Sequence, residues 1–379
     1  MPCITSGCVS PLGNQWFNRD KLSFIGWADW DDHPLRQELL HQVAHHLGHD
    51  DGVLVFDPSA FAKSGTESVG VARQWCGRLG KVDNCQVALS LGYVSAKGHT
   101  LVDMRLSLPK EWTQDKPRLD KAGVPPAQRG YRTRHQLALD MLEQDGASLP
   151  HGWIAGDDAM GRPYWFRRRL DRLGERSLLA VPGNTLMRDL EAAPPTYSGR
   201  GRHPQRPWQR VDAWSASLDE SAWKRIDVRD GSKGPLVVDV VKRRVVARTP
   251  RRQQGDEELV VVLRYRDHQQ VVKVDFYLSN AEPGTPLWQL ARVAKAEHRI
   301  EECLQRSKSE AGLADYEVRH WTGWHHHQTL SLLATWFLVT ETLRGEKMDA
   351  SDDVTADTGG HRGDLVQRVS VRNDLTYAA

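Results

Sequence analysis

The sequence predicts a mixed α/β fold, and three features carry that prediction. Two short apolar runs each end in an acid, GVLVFD (52–57) and GWIAGD (152–157). Continuous runs of this length, rich in β-branched and aromatic residues, are the signature of buried strands. Between them, NCQVALSLGYVS (84–95) and HTLVDMRLSL (99–108) alternate apolar and polar residues, with Gly98 in the short gap, as in a hairpin. Beyond the hairpin, stretches of helical periodicity separate the strands, so antiparallel strands come first and helix-linked strands follow.

The remaining elements follow in order. Leu35, Leu39, Leu40, Val43 and Leu47 recur at three-to-four spacing and give a helix near the start, with Pro34 where proline is tolerated. Residues 109–130 are polar and proline-rich and read as a surface loop. RHQLALDMLEQ (134–144) and RPYWFRRRLDRLG (162–174) read as helices, and SLLAVP (177–182) as a strand. Residues 183–287 break the pattern. They open basic and Pro/Gly/Ser-rich, then give the β-like runs 235–247, 258–267 and 270–279, which we read as a β-rich insertion. Helix returns at about 288–311 and 328–345. The expected organisation is an N-terminal helical segment (1–50), an α/β core (51–182), the insertion (183–287), core helices (288–347) and a tail (348–379).

The chain has 379 residues, 39% hydrophobic and 26% charged, with a formal net charge of +2. That composition can bury a core and excludes collagenous and disordered classes. No window approaches the roughly 18 consecutive apolar residues of a membrane helix. The first residues lack the basic-then-apolar order of a secretory signal. Five scattered cysteines point away from a disulfide framework and toward a reducing compartment, so a cytoplasmic location is expected. The basic charge is concentrated between about 161 and 280, so the small net value is no argument against DNA.

Asp57 and Asp157 each close an apolar run, at the sheet edge where α/β sites form. Carboxylates from neighbouring strands suit a hard divalent cation such as Mg²⁺. Such an acid also serves as a turn or helix cap. In IEECLQRSKSEAG, Ile300, Cys303, Leu304 and Ser307 mark one helix face. Glu301 lies on its flank, with Lys308 two turns further on the same flank. That pair reads either as a solvated flank or as a metal ligand beside a phosphate contact.

These segments resemble those of bacterial insertion-sequence transposases of the DDE class. LVFDPSAFAKSGTESVGVARQWCGRLGKVDNCQVALSLGY is similar to the region around their first catalytic Asp. GWIAGDDAMGRPYWFRRRL with LLAVPGN is similar to the second-Asp segment, and HRIEECLQRSKSEAGLADYEVRHWTGWHHHQTLSLLATWFL to the Glu segment. The resemblance spans about 24–340 and implies a ribonuclease-H-like mixed sheet with flanking helices, interrupted by a β-rich insertion before the Glu. It matches Asp57, Asp157 and Glu301 to the catalytic triad, and Lys308 to a lysine that contacts transposon-end DNA. Asp158 and Glu302 are adjacent alternatives. It further implies two Mg²⁺ or Mn²⁺ ions, a double-stranded DNA substrate and action as a homodimer. Where the family carries Tyr and Arg ahead of the Glu, this chain has Ala294 and Glu297, with Arg299 nearby.

Arg167, Arg168 and Arg169, Arg200 to Arg210, and Lys242, Arg243 and Arg244 form basic clusters expected to meet DNA backbone. Trp208, Trp214 and Trp223 read as core ahead of base-stacking surfaces. KSGTESVG (63–70) lacks the Gly-Lys-Ser/Thr ending of a phosphate loop, so no nucleotide cofactor is expected. His325, His326 and His327 are consecutive and point different ways on a helix, which disfavours zinc. The expected function is DNA transposition, nicking element ends and joining the 3′-hydroxyls to target DNA. The alternatives are a non-catalytic DNA-binding protein, motivated by Glu297, and a structure-selective nuclease of the same fold.

Overall fold

The apolar run at 53–56 lies in an interior strand of the sheet, its four side chains wholly buried. The computed structural model describes residues 24–26, 28–231, 234–267 and 270–356, so the polar start and most of the expected tail lie outside the described residues. In chain order the strands are β1 (Val53–Ala62), β2 (Ala72–Cys76), β3 (Lys81–Ser95), β4 (Gly98–Ser107), β5 (Trp153–Gly156), β6 (Ser177–Ala180), β7 (Leu186–Asp189), β8 (Gln209–Arg210), β9 (Lys224–Gly231), β10 (Gly234–Arg248), β11 (Gln254–Asp267) and β12 (Gln270–Ser279). The principal helices are α1 (His33–Leu47), α2 (Arg134–Asp145), α3 (Tyr164–Arg172), α4 (Leu287–Glu310) and α5 (Trp321–Ala356). Residues through Val339 belong to one compact unit and those from Thr340 to a second.

β3 pairs antiparallel with both β4 and β1, whereas β1, β5 and β6 are parallel to one another. That order, with helices flanking a mixed sheet, is a ribonuclease-H-like fold. β12 pairs antiparallel with β6, from Tyr277↔Ala180 to Ser279↔Leu178. The β-rich segment therefore adds its strands to the same sheet, with β11, β10 and β7 following in turn. Its own core gathers Trp214 and Trp223 with Val241, Val245, Val260 and Val262, so those two tryptophans are core residues. Trp208 is half-buried under the Arg188 guanidinium, 4.2 Å from the ring centre.

The helix faces follow the apolar spacing. Leu39, Leu40, Val43 and Leu47 of α1 are buried, while Leu35, at the edge of the stripe, is exposed. Thr133 and Gln136 form a capping box that starts α2 at the expected residue. Residues 109–130 are not the surface loop their composition suggests. Short helical turns there bury Trp112, Leu119 and Val124, and the Trp112 indole N–H donates to the Val71 carbonyl at 2.7 Å. Three anchoring apolar residues outweigh the polar majority around them. Strands β7 and β9 were not legible in the sequence, because charged residues interrupt their alternation.

Arg167 corrects an expectation. It is buried, and its guanidinium holds Glu258 of β11 through two hydrogen bonds of 2.7 and 3.1 Å and donates to the Gly161 carbonyl. A side chain so enclosed joins α3 to the sheet and presents no donor to DNA. Arg167→Ala strands a buried carboxylate and is expected to cost about 3–5 kcal/mol, whereas replacing Arg167 and Glu258 together by Met costs much less. Urea unfolding of the two variants checks this, and equal losses would show that the pair is not a coupled unit.

Candidate active site

The pairing of β1 and β5 puts two acids side by side. Their parallel register runs from Val53↔Trp153 to Phe56↔Gly156, so Asp57 and Asp157 are the next residues on adjacent strands. Neighbouring strands lie about 4.8 Å apart. Asp57 does not close its own strand, as the sequence suggested. β1 continues to Ala62 because its antiparallel pairing with β3 reaches Ala62↔Cys85. Asp57 lies instead where its parallel neighbour stops. Gly156 permits the close approach, since a Cβ there would meet the Phe56 carbonyl oxygen at 3.1 Å and the Met160 side chain at 3.0 Å. Asp157 itself caps the helical turn Asp158–Gly161, its Oδ1 accepting from the Met160 N–H at 2.9 Å.

Helix α4 supplies the third acid. Its buried stripe includes Ile300, Cys303, Leu304 and Ser307, as the spacing predicts. A Cβ on Gly92 of β3 would lie 2.4 Å from Ile300 Cδ1, so the helix comes down onto β3 where a side chain is missing. Glu301 stays on the exposed flank. Lys308 Nζ donates to Ser59 Oγ at 2.8 Å, and Ser59 lies two residues along β1 from Asp57, on the same face. Asp57, Asp157, Glu301, Lys308, Arg134 and Trp75 line one open cleft of about 800 Å³. A second cavity of about 420 Å³ shares Asp157 and Glu301 with it and adds Glu297, Asp275, Lys273 and Lys295.

The neighbouring residues behave differently. Asp158 lines both cavities and pairs with Arg162 at 3.0 Å. Glu302 lines neither and reaches His298 at 3.3 Å. Glu297 is the residue that sequence reasoning undervalued. Read as a lost Arg, it is an added carboxylate, one helical turn from Glu301 and facing the same acids. The i, i+4 spacing of two glutamates on α4 was the available signal.

Electrostatics set these carboxyls apart from surface acids. Burial pushes Asp57 up to about 7, with Asp157 and Glu301 adding repulsion and Lys308 opposing it. Burial likewise raises Asp157 to about 6, partly offset by the Met160 N–H. Glu297 rises to about 8 through burial and the charges of Asp157, Asp57, Glu301 and Asp275. Desolvated like charges of this kind mark sites built to hold cations or protons. Among the described residues no three His, Cys, Asp or Glu side chains converge closely enough to enclose an ion by themselves. The donor chemistry fits a hard divalent cation: carboxylate oxygens, mutually repelling, facing an open cleft.

Three more of the basic residues expected at DNA are engaged within the protein. Arg168 pairs with Asp256 at 2.6 Å, Arg244 with Glu257 at 2.6 Å, and Arg243 approaches Glu191 at 3.7 Å. Arg244 is exposed and Arg168 and Arg243 half-buried, so these pairs can still face a phosphate. Arg299 is half-buried on α4. The three consecutive histidines turn to backbone carbonyls: His325 to Trp321, His326 to Ile25 and Trp30, His327 to Gly312, all within 2.8–3.0 Å.

The structure is thus a ribonuclease-H-like sheet with one acid inside β1, a second just beyond the end of its parallel neighbour β5, and a third on the helix α4. The chain belongs to the DDE superfamily endonucleases, whose family model matches residues 19–235. The match includes Asp57 and Asp157 and ends before α4. Endonucleases of this superfamily generally use divalent metal ions. No curated protein matches the chain. No helix among the described residues is long and apolar enough to cross a membrane.

The raised carboxyls have a consequence for stability. Above pH 4 the unfolded chain releases protons that folded Asp57 retains until about pH 7. The folded state then binds more protons, so this group's contribution to stability falls as pH rises through that window. In EDTA, Asp57→Asn is expected to gain stability over the parent between pH 5 and 8, levelling above about pH 7. Denaturant midpoints at four or five pH values check it, and a gain independent of pH would contradict the assignment.

Proposed function

We propose that the protein is a DNA transposase, in which Asp57, Asp157 and Glu301 hold Mg²⁺ or Mn²⁺ and Lys308 meets the DNA backbone. The observation that carries the reading is the meeting of these four side chains, from β1, the end of β5 and α4, in one open cleft of a DDE superfamily endonuclease. Two bound divalent ions would supply activation of the attacking oxygen and charge stabilisation at the leaving oxygen of an in-line displacement at phosphorus. The chain's own groups do the rest. Asp57 and Asp157 come from a rigid sheet whose register fixes their separation, which suits a reaction governed by positioning and charge. Glu301 closes the cleft from the helix side. Lys308, steadied by Ser59, sets a cation beside the acids where a phosphate must enter. Arg134 lines the same cleft and offers a second cationic contact. Water attacks first, and the released 3′-hydroxyl then attacks target DNA. Two ends require two such sites, so the working form is a homodimer on DNA.

A DNA-binding protein without cleavage is the second reading, favoured by the lack of a tight ligand cluster among the described residues. One assay separates them. The transposase nicks supercoiled DNA carrying element ends in Mg²⁺ or Mn²⁺ and is silent in EDTA. Removing a ligand costs several kcal/mol of transition-state stabilisation, so Asp57→Ala is expected to lower the rate by about three orders of magnitude or more. Lys308→Ala weakens DNA binding and reduces the salt slope by about one. Undiminished nicking by Asp57→Ala would overturn the assignment, and DNA held in EDTA but never cut in Mg²⁺ would establish the second reading.

A further inference from the structure

Helix α3 follows the second acid and leaves one line of its surface uncovered. Phe166, Arg167 and Leu170 are buried, and Arg167 is tied to Glu258 of the sheet. Trp165, Arg169 and Arg172, spaced four and three apart, fall on one line of the other side, and all three are exposed. The acids nearby are already taken. Asp158 pairs with Arg162, and Asp171 and Asp256 with Arg168. Arg169 and Arg172 make no side-chain hydrogen bond or ion pair among the described residues. The arginines of the β-rich segment differ, since Arg225, Arg244, Arg264 and Arg266 are all matched by acids.

The line begins at the cleft. The Trp165 ring meets the His135 ring edge-on, with centroids 5.6 Å apart. His135 Nε2 lies 2.9 Å from the Ala159 carbonyl oxygen, and Ala159 lines the cleft with Asp157 and Asp158. Arg134, next to His135, lines the cleft as well, half-buried and also without an ion pair among the described residues. An unmatched cation in the cleft wall is thus followed by an exposed indole and two more unmatched cations. We propose that this strip, Arg134, Trp165, Arg169 and Arg172, holds the backbone of double-stranded DNA where the duplex leaves the cleft. The inference rests on reading the cleft as a DNA site and extends the contact to a surface outside it. From Trp165 to Arg172 the helix rises about 10 Å, the length of about three base-pair steps. The guanidinium groups displace counterions from phosphates, and the indole offers an apolar face to a sugar. Phosphate contacts position a duplex without reading its bases, so the strip acts on any sequence.

The experiment is equilibrium binding of the whole protein to two fluorescent duplexes of about 40 base pairs and unrelated sequence, in EDTA, followed by anisotropy from about 50 to 300 mM salt. Arg169→Gln combined with Arg172→Gln is expected to weaken binding to both duplexes about tenfold and to lower the slope of log K against log salt by about two. Its unfolding midpoint is expected to match the parent's. Trp165→Ala is expected to weaken binding at the parent's slope, because no counterion is tied to an indole. Arg306→Gln combined with Arg344→Gln removes the same charge from two exposed arginines, each paired with a glutamate of its own helix, and is expected to keep the parent's slope. If Lys308→Ala lowers the slope and the α3 double variant does not, this inference fails and the cleft reading stands. If the parent binds neither duplex, both fail. An equal loss in the charge-matched control would overturn the strip in favour of a general field, and a loss confined to one duplex would do so in favour of base recognition. A lowered unfolding midpoint in the α3 double variant would also overturn it, since the two arginines would then be serving the fold.

Discussion

Four parallel-paired positions, Val53↔Trp153 to Phe56↔Gly156, hold β1 and β5 in register and leave Asp57 and Asp157 as the next residue on each strand. The arrangement of the cleft depends on that stop. β3 continues to hold β1 beyond Asp57, so the first acid is fixed in a strand. The second turns at once into a helical turn that its own side chain caps. Gly156 allows the approach at the last paired position, and Gly92 allows α4 to descend onto β3 through Ile300. Buried apolar side chains around these contacts give the acids a rigid base, which a positioning reaction requires.

The electrostatic contrast within the molecule is informative. Burial pushes Asp103 up, but Arg105 and Arg36 more than offset it and hold the carboxyl below its usual range. Asp57 and Glu297 have no such arginine, and both are raised. The fold can neutralise a buried acid and does so outside the cleft. Inside it, repulsion is retained at some cost in stability, the pattern of a site poised for an external cation. Lys308 does not remove the repulsion. It opposes part of it at Asp57 while held by Ser59.

The β-rich segment illustrates why charge runs mislead. Its arginines form a lattice of pairs: Arg264 and Arg266 with Glu220 and Asp239, Arg225 with Asp239, Arg244 with Glu257. Much of the positive surplus there is matched locally. Cations on the walls of the cleft, Lys308 and Arg134, stand nearer to the acids that would act on DNA. Exposed Arg200, Arg202, Arg251 and Arg252 remain available for longer-range attraction of a polyanion.

Much was determined by the sequence alone. Apolar runs and alternation locate β1, β3, β4, β5 and β6, because each buries a regular face, and helical spacing locates α1 to α4. The same patterns, with the resemblance they support, single out Asp57, Asp157, Glu301 and Lys308, which the fold brings to one cleft. Other features were decided by tertiary structure. Residues 109–130 look like loop until Trp112 finds the Val71 carbonyl. β7 and β9 look polar until each pairs with β10, at different stretches of that long strand. Arg167 looks like a DNA contact until Glu258, 91 residues away, encloses it. Glu297 looks like a lost arginine until the sheet brings Asp57, Asp157 and Asp275 to face it. Local periodicity reports which face of an element is buried, but the partner of a charge comes from elsewhere in the chain. Whether a charged residue is a surface contact, a structural pair or a ligand is therefore fixed only when the chain folds.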